Sequence, residues 1–220
     1  MCIRDRTLGY EYLVISDHTH SLGVANGLDE GRLREQRRAI DALNKHLQGF
    51  TVLQGAEVEI RADGSLDFPD EVLRGLDVVI ASVHSALRQD RETITERVLR
   101  AVRNPLVNVL GHPSGRLLGQ REATNLDLDR VIQEAAATGL ILEVNATPNR
   151  LDLDDAHVRS AVQAGAALVI NSDAHSTAGL ETMMYGVAAA RRGWAEKKDV
   201  VNTLPLAQLR QRLRRGERAG

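Results

Sequence analysis

The sequence predicts an α/β domain built around a parallel sheet, and three observations support this prediction. A chain of 220 residues with 43% hydrophobic and 26% charged residues is long and apolar enough to bury a full core. Short apolar, β-branched runs alternate with longer segments of helical periodicity, which is typical of strands followed by helices in a parallel fold. No internal repeat, low-complexity tract or Pro/Gly-rich linker interrupts this alternation. We therefore expect one folded domain.

Six short apolar runs are predicted as strands. They are Tyr12–Ser16, Thr51–Leu53 continuing into Glu57–Ile60, Asp77–Ser82, Val107–Gly111, Leu140–Asn145 and Ala167–Ser172. Helices are predicted between and after these runs, and several of them begin at an acidic or Asn capping residue and end at a glycine. They are Asp29–His46, Arg91–Arg103, Asp127–Thr138, Asp154–Ala164, Gly179–Arg192 and Pro205–Arg215.

The two ends of the chain depart from this pattern. Residues 1–7 match neither a strand nor a helix cap, so we interpret them as an atypical leader. The domain is expected to span residues 8–215, followed by a disordered tail at 216–220. The basic residues near the end predict either the solvated face of a helix or a tail that attracts phosphate.

Composition and charge exclude several classes of protein. Cys2 is the only cysteine, so an internal disulfide is impossible. The sequence has no signal peptide and no apolar run of about 18 residues, which predicts a cytoplasmic protein without membrane contact. Six aromatic residues are too few for a platform that stacks bases. The chain carries a net charge of +6 from Arg191 onward and −8 before it, and an acidic body suits bound cations.

Four of the seven histidines lie just past the carboxyl end of a predicted strand, and two carboxylates occupy similar positions. These six residues are His18, Glu57, His84, His112, Asp173 and His175. Because the carboxyl ends of parallel strands meet on one face, we expect the six side chains to surround a common site. Neutral imidazole together with carboxylate suits Zn, Mn or Fe better than Ca or Mg. The sequence therefore predicts a metal centre.

A metal centre of this type predicts hydrolysis of a phosphoester. Neighbouring cations can clamp the attacking and leaving oxygens of a phosphoryl group, and they activate water near neutral pH. No nucleophile elbow, P-loop or dinucleotide fingerprint offers a competing reaction. A single histidine more often has a structural role, and we expect His46 and His157 to lie on the surface. His20 follows His18 closely and is left open as a supporting residue.

Five segments resemble the ordered motifs of the polymerase and histidinol phosphatase (PHP) superfamily. They are Ser16-Asp17-His18, Gly55-Ala56-Glu57-Val58-Glu59, Ala81-Ser82-Val83-His84, Gly111-His112-Pro113 and Asn171-Ser172-Asp173-Ala174-His175. Further segments resemble the C-terminal PHP domain of bacterial and archaeal family X DNA polymerases. They are Val24–Leu28, Asp63–Asp67, Arg116–Gly119, Asn149–Leu153 and Ala190–Trp194.

The resemblance implies a distorted (β/α)7 barrel with up to three metal ions, most often Mn²⁺, with Zn²⁺ or Fe²⁺ as alternatives. In that family Glu57 would bridge two metals, and His84 and His112 would complete the shell of the second. Asp173 would bind the first metal, while His18 and His175 would bind the third. Glu57, His84 and Asp173 are thus the expected catalytic residues.

The resemblance also implies a supporting residue, an activity and partners. Asp17 would orient its neighbour His18 rather than bind metal. The implied activity is 3′–5′ exonuclease hydrolysis at single-stranded or gapped DNA 3′ ends during repair, beside a polymerase module of the same parent chain.

One family motif, a His-x-His pair upstream of Leu8, has no counterpart in this sequence. We therefore expect a barrel that lacks its first strand, with only the second metal keeping its full set of ligands. The catalytic capacity of such a chain is left open.

Three arginines follow strand ends and are candidates for phosphate contacts, because a guanidinium pairs well with phosphate oxygens. They are Arg88, Arg116 and Arg150. Ordinary salt bridges within loops are the alternative for each. Two other functions also remain open: a small-molecule phosphatase of the histidinol-phosphate type, and a scaffold domain with impaired catalysis.

Overall fold

The computed structural model describes residues 7–21 and 26–214. Its six strands are β1 (Tyr12–His18), β2 (Thr51–Glu59), β3 (Val78–Ser82), β4 (Val109–Leu110), β5 (Ile141–Asn145) and β6 (Ala167–Asn171). Its α-helices are α1 (Glu30–Asn44), α2 (Asp70–Leu73), α3 (Arg91–Arg103), α4 (Leu128–Thr138), α5 (Asp155–Ala164), α6 (Met183–Arg192) and α7 (Leu206–Leu213). Short 3-10 helices lie at Ala178–Thr182, Lys197–Asp199 and Val201–Thr203.

The six strands form one parallel sheet in the order β1-β2-β3-β4-β5-β6, which is also their order along the chain. The sheet curls into an open barrel, so the predicted PHP-type α/β fold is confirmed. Among the described residues it has six strands, one fewer than a (β/α)7 barrel. Within the described residues, β1 pairs with β2 alone, and β6 has β5 and a single bridge from Leu168 to Val200. An open seam therefore separates β1 from β6.

Alternation along the strands divides the core into two parts. On β5, Leu142 and Val144 belong to the core between the sheet and the helices, whereas Ile141 belongs to the core inside the barrel. Leu209 of α7 packs with the inner group and covers one end of the barrel. Because successive strand residues point to opposite faces, Glu143 and Asn145 share the inner face with Ile141. Polar residues at strand ends are thus directed into the barrel.

The observed elements differ from the predicted ones at three places. The strand predicted in two segments is continuous through Gly55, where a Cβ atom would lie 2.9 Å from Val14 Cγ1. The helix predicted at 179–192 is divided into a 3-10 turn and α6. Strand β4 is shorter than predicted, and just before it the side-chain oxygen of Asn108 accepts the N–H of Val79 at 2.8 Å.

The predicted chain ends lie largely outside the part of the chain that the structure describes. Of the predicted leader at 1–7, the structure describes Thr7 alone, and the predicted tail at 216–220 is not among the described residues. The division of the chain into leader, domain and tail stays a prediction. Among residues 7–21 and 26–214, no helix is long and apolar enough to cross a membrane.

Gly186 sits where α6 crosses the ends of β5 and β6, and it offers a test of this packing. A Cβ atom there would lie 2.6 Å from Ile170 Cγ2 and 2.7 Å from Ala146 Cβ. We expect Gly186→Ala to lower the free energy of unfolding by about 1–3 kcal/mol, as overpacking does, when measured by urea titration. Gly31→Ala, on the exposed first turn of α1, is the matched control and should be neutral or slightly stabilising. Equal stability of the two variants would contradict the packing.

Candidate metal centre

The carboxylate of Glu57, at the end of β2, lies among three histidines from neighbouring strand ends. His112 Nε2 lies 2.9 Å from Glu57 Oε1, and His84 Nε2 lies 3.3 Å from the same oxygen. His18 Nδ1 lies 3.3 Å from Glu57 Oε2. The parallel register places His18 directly beside Glu57 in the β1–β2 pair. Glu57 therefore contacts three of the other five predicted ligands.

The donor atoms fit a transition-metal ion. One donor atom from each of His18, Glu57 and His84 lies within 4.8 Å of the others. The centroid of the His84 ring lies 5.1 Å from the centroid of the His18 ring and 5.1 Å from that of the His112 ring. His112 is buried, and its Nδ1 has no hydrogen-bond partner among the described residues. Imidazole nitrogens converging on one carboxylate suit Zn, Mn or Fe.

The electrostatics of this group are dominated by the buried carboxylate. Burial alone would raise the pKa of Glu57, but contacts with His112 and His84 hold it well below its ordinary value. Burial alone would lower the pKa of His84, yet hydrogen bonds to Glu57 and Glu59 raise it to about 9. The pKa of His112 is likewise raised by Glu57 against the effect of burial. Burial, together with the charges of His84 and His112, lowers the pKa of His18. Protons and a metal ion therefore compete for the same nitrogens.

Glu59 supports this centre and was not predicted as a site residue. Its Oε2 lies 2.9 Å from His84 Nδ1, on the side of the ring opposite the atom that faces Glu57. Glu59 also accepts hydrogen bonds from the backbone N–H groups of His84 and Ser85, from the Ser85 hydroxyl at 2.6 Å, and from buried Arg97. A carboxylate behind a metal-binding imidazole fixes its orientation and tautomer. The two-residue spacing from Glu57 was the available signal, since it places both carboxylates on one face of β2.

Glu143 on β5 is a second residue that sequence reasoning missed. Its Oε2 accepts the backbone N–H of His112 at 2.6 Å, and its Oε1 accepts from Asn171 Nδ2 at 2.8 Å. Burial raises the pKa of Glu143 to about 7. Asn145, two residues further along the strand, donates to Asp173 Oδ2 at 3.2 Å. These polar residues join the loop of His112 to the loop of Asp173.

Asp173 and His175 lie at the mouth of the barrel that His18 and Glu57 also line, but neither contacts Glu57. Asp173 has a positive φ of 49°, which turns the chain directly after β6. His175 is 78% exposed, and its Nδ1 lies 2.9 Å from the backbone oxygen of Asp173. The structure therefore separates a compact group of four predicted ligands from this looser pair.

Asp17 does not make the contact with His18 that the resemblance implied. It lies on the opposite face of β1, where its carboxylate accepts a hydrogen bond from Gln36 of α1. Strand alternation is the reason, because adjacent residues point to opposite faces.

Three further histidines lie outside the centre. His20 contacts Asp67 and Phe68. His46 is exposed just past the end of α1, and His157 pairs with Asp154 at the start of α5. None of the three contacts Glu57 in the described part of the chain.

The three predicted arginines have different surroundings. Arg150 Nε lies 3.8 Å from Asp173 Oδ2, and its Nη1 is buried with no hydrogen-bond partner among the described residues. Arg116 is bound by Asp154 at 3.0 Å and by the backbone oxygens of Arg150 and Leu151, so it ties two loops together. Arg88 is exposed. Arg150 is thus the one of the three that the geometry places beside a predicted metal ligand.

A cavity of about 1360 Å³ extends from these strand ends into the barrel and opens along the seam beside β1. Its mouth is polar, with His18, Glu57 and Asp173, and its interior is apolar, with Val109 and Ile141. The centre is therefore accessible to a substrate from outside the barrel.

Comparison with known proteins identifies relatives of two kinds. The DNA polymerase/3′-5′ exonuclease PolX of Bacillus subtilis (strain 168) is 44% identical over 209 residues, which are 95% of this chain and 37% of that protein. A probable phosphatase of Thermoanaerobacter sp. (strain X514) is 28% identical over 178 residues, covering 76% of this chain and 67% of that protein. This chain thus spans little more than a third of the length of PolX.

A solved structure shares the fold. Histidinol phosphate phosphatase from Lactococcus lactis subsp. lactis Il1403, complexed with zinc, L-histidinol and phosphate, matches with a TM-score of 0.62 at 13% identity. The match covers 89% of this chain and 86% of that chain. No protein-family model matches the sequence. A donor set of this kind, in a chain similar to an exonuclease and to probable phosphatases, is typical of metal-dependent phosphoesterases. These similarities to PolX and to phosphatases agree with the resemblance to the PHP superfamily that the motifs indicated.

The role of Glu59 gives a first prediction for this centre. We expect Glu59→Gln to weaken Mn²⁺ or Zn²⁺ binding by about 10–100-fold, because loss of the supporting carboxylate frees the His84 ring. Isothermal titration calorimetry measures this affinity. Glu35→Gln on the exposed side of α1 is the matched control. Unchanged affinity in Glu59→Gln would refute the supporting role.

The raised pKa of His84 gives a second prediction, for the chain in a chelating buffer. The folded-state pKa of about 9 lies above the ordinary value of 6.5. The corresponding stabilisation is fully present below about pH 6.5 and is lost as the pH rises through 9. Urea unfolding at pH 6.5, 8 and 9.5 should therefore show falling stability, and His84→Gln should flatten this dependence. A dependence of equal slope in the variant would contradict the assignment.

Proposed function

We propose that this chain is a metal-dependent phosphodiesterase domain that removes nucleotides from DNA 3′ ends, as a 3′–5′ exonuclease in DNA repair. The observation that carries the proposal is the buried Glu57 carboxylate surrounded by three imidazoles at strand ends. It occurs in a chain that is 44% identical over 95% of its length to PolX. Phosphoryl hydrolysis is the chemistry that such donor sets perform when they hold cations.

Four residues would hold the principal cation or cations: His18, Glu57, His84 and His112. Asp173 and His175, at the same mouth, would complete further sites. When bound, such cations supply a strong nucleophile from water at neutral pH and neutralise charge on the phosphoryl group. Mn²⁺ is the proposed metal, with up to three ions. Zn²⁺ and Fe²⁺ share this ligand chemistry, and the solved histidinol phosphate phosphatase contained zinc.

The surrounding residues of this chain position the reacting groups. Glu59 holds the ring of His84 so that Nε2 faces Glu57. Glu143 fixes the backbone of His112, and Asn145 holds the carboxylate of Asp173. The guanidinium of Arg150, beside Asp173, pairs with an oxygen of the scissile phosphate. Arg88 and Arg116 remain weaker candidates for phosphate contacts, since Arg116 is already bound by Asp154.

The proposed partners follow from the relationship to PolX. They are DNA with single-stranded or gapped 3′ ends and a polymerase module in the parent chain, acting in the cytoplasm.

A small-molecule phosphatase is the second candidate. It is favoured by the similarity to several probable phosphatases, one of which is 32% identical over 141 residues. The fold match to histidinol phosphate phosphatase supports the architecture that both candidates share.

The decisive experiment compares two substrates and two variants. With Mn²⁺, the chain should shorten a 5′-labelled oligonucleotide from its 3′ end faster than it hydrolyses histidinol phosphate. His84→Ala should lower the exonuclease rate by more than about 100-fold, because loss of a ligand exceeds the effect of losing its supporting residue. His46→Ala is the matched control on an exposed histidine.

Faster turnover of histidinol phosphate would favour the phosphatase. An oligonucleotide rate that His84→Ala leaves unchanged would refute the assignment of the centre. Metal binding without hydrolysis of either substrate would favour the scaffold alternative.

A further inference from the structure

Two arginines, Arg121 and Arg150, lack a close acidic partner. They lie in the loops that follow β4 and β5. Arg121 donates through Nε and Nη2 to a single acceptor, the backbone oxygen of Gly115, at 3.0 and 2.7 Å. Arg150 has its nearest carboxylate oxygen, on Asp173, at 3.8 Å. Within the described residues, Arg121 has no carboxylate within 4.0 Å. These cations are therefore incompletely neutralised by the protein.

The two loops are tied together, so both arginines belong to one local unit. The backbone N–H of Leu118 donates to Asn149 at 2.7 Å, and Arg116 donates to the backbone oxygen of Arg150. The buried carboxylate of Asp152 accepts the backbone N–H groups of Ser114 and Gly115, at 3.2 and 2.9 Å. Gly115 is also the residue that anchors Arg121. Arg121 thus extends from the loop that carries His112, while Arg150 extends from the loop beside Asp173.

The surroundings of the Arg150 guanidinium group favour the binding of an anion. The side chain of Arg150 is 16% exposed, and its buried Nη1 has no partner. A buried N–H group that makes no hydrogen bond costs stability and is usually satisfied by a ligand or water. Arg121 is exposed, and partial burial of its side chain together with the positive charge of Arg150 lowers its pKa. Phosphate oxygens satisfy guanidinium groups through paired, charge-assisted hydrogen bonds.

We propose that Arg121 and Arg150 form a two-position phosphate clamp, in which Arg150 binds the reacting phosphate and Arg121 binds the next phosphate along a nucleic-acid strand. This inference rests on the proposed function and adds a determinant of specificity to it. A phosphomonoester of a small molecule has one phosphate and occupies only the position at Arg150. A strand with successive phosphodiesters occupies both positions. Arg121 therefore favours a polynucleotide over a small phosphomonoester.

The test measures binding in EDTA, so that hydrolysis does not enter. The probes are a fluorescein-labelled 12-nucleotide single-stranded DNA and thymidine monophosphate, each titrated at three salt concentrations. Arg121→Gln should weaken oligonucleotide binding several-fold and reduce its preference over the monophosphate. It should also lower the slope of log affinity against log salt by about 0.7, the contribution of one phosphate contact on a single strand. Arg150→Gln should weaken both ligands.

Two variants separate electrostatic from structural effects. Arg38→Gln, an exposed arginine on the outer helix α1, is the matched control and should leave the affinity ratio unchanged. Arg121→Lys keeps the charge and should restore the salt slope. If the ratio of oligonucleotide affinity to monophosphate affinity is the same in Arg121→Gln and Arg38→Gln, the clamp is refuted. A loss that lysine does not rescue, with a lower melting temperature, would also overturn it, since Arg121 would then only brace the loop at Gly115.

The same measurements distinguish failure of the clamp from failure of the proposed function. Wild-type exonuclease activity with unaltered oligonucleotide binding in Arg121→Gln would refute the clamp alone. If the wild-type chain has no exonuclease activity, but Arg121→Gln shows the predicted loss of oligonucleotide binding and of salt slope, the proposed reaction is refuted. The clamp then stands as a strand-binding site.

Discussion

The contact between one buried carboxylate and three imidazoles is the constraint on which the rest of the site depends. Glu57 lies at the end of β2, between neighbours that carry His18 and His84, and His112 follows the next strand. An unpaired buried carboxylate is costly, and here the adjacent imidazoles offset that cost. The parallel order of the strands provides this proximity, because each strand delivers its last residues to the same edge. The parallel sheet therefore brings the donor atoms of the site together at one group, the carboxylate of Glu57.

Two carboxylates support the histidine ligands in a similar way. Glu59 fixes His84 through its ring nitrogen and backbone, and Glu143 fixes His112 through its backbone. Each carboxylate is held by further donors, with Arg97 on Glu59 and Asn171 on Glu143. Histidines held by such carboxylates lose little conformational freedom when they bind a cation, which favours affinity. Both supporting carboxylates lie on the inner faces of strands, so the barrel itself holds the ligands.

Much of this could be predicted from the sequence, and the remainder depended on side-chain geometry. The strands followed from apolar runs, and the barrel followed from the resemblance to the PHP superfamily. The position of His18 and His84 after predicted strands predicted that they meet Glu57. The sequence could not show that Asp17 contacts Gln36, because this hydrogen bond depends on how α1 packs beside β1. Glu143 was missed because it lies inside an apolar strand, where a lone acidic residue gives no motif. Glu59 was missed although its two-residue spacing from Glu57 places both carboxylates on one face of β2. Arg116 was predicted beside phosphate, yet its bond to Asp154 requires a contact between separate loops.

The open seam has a consequence for how firmly the metal ligands are held. Within the described residues, β2 is the only strand that pairs with β1, and the side chains of β1 are half-buried or exposed. Strands with few buried contacts open locally at a lower free energy than the rest of a domain. His18 rides on this strand, whereas His84 and His112 follow strands paired on both sides. Local opening of β1 therefore removes His18 from the centre while His84 and His112 stay in place. The lifetime of the complete set of three imidazoles is set by the stability of β1.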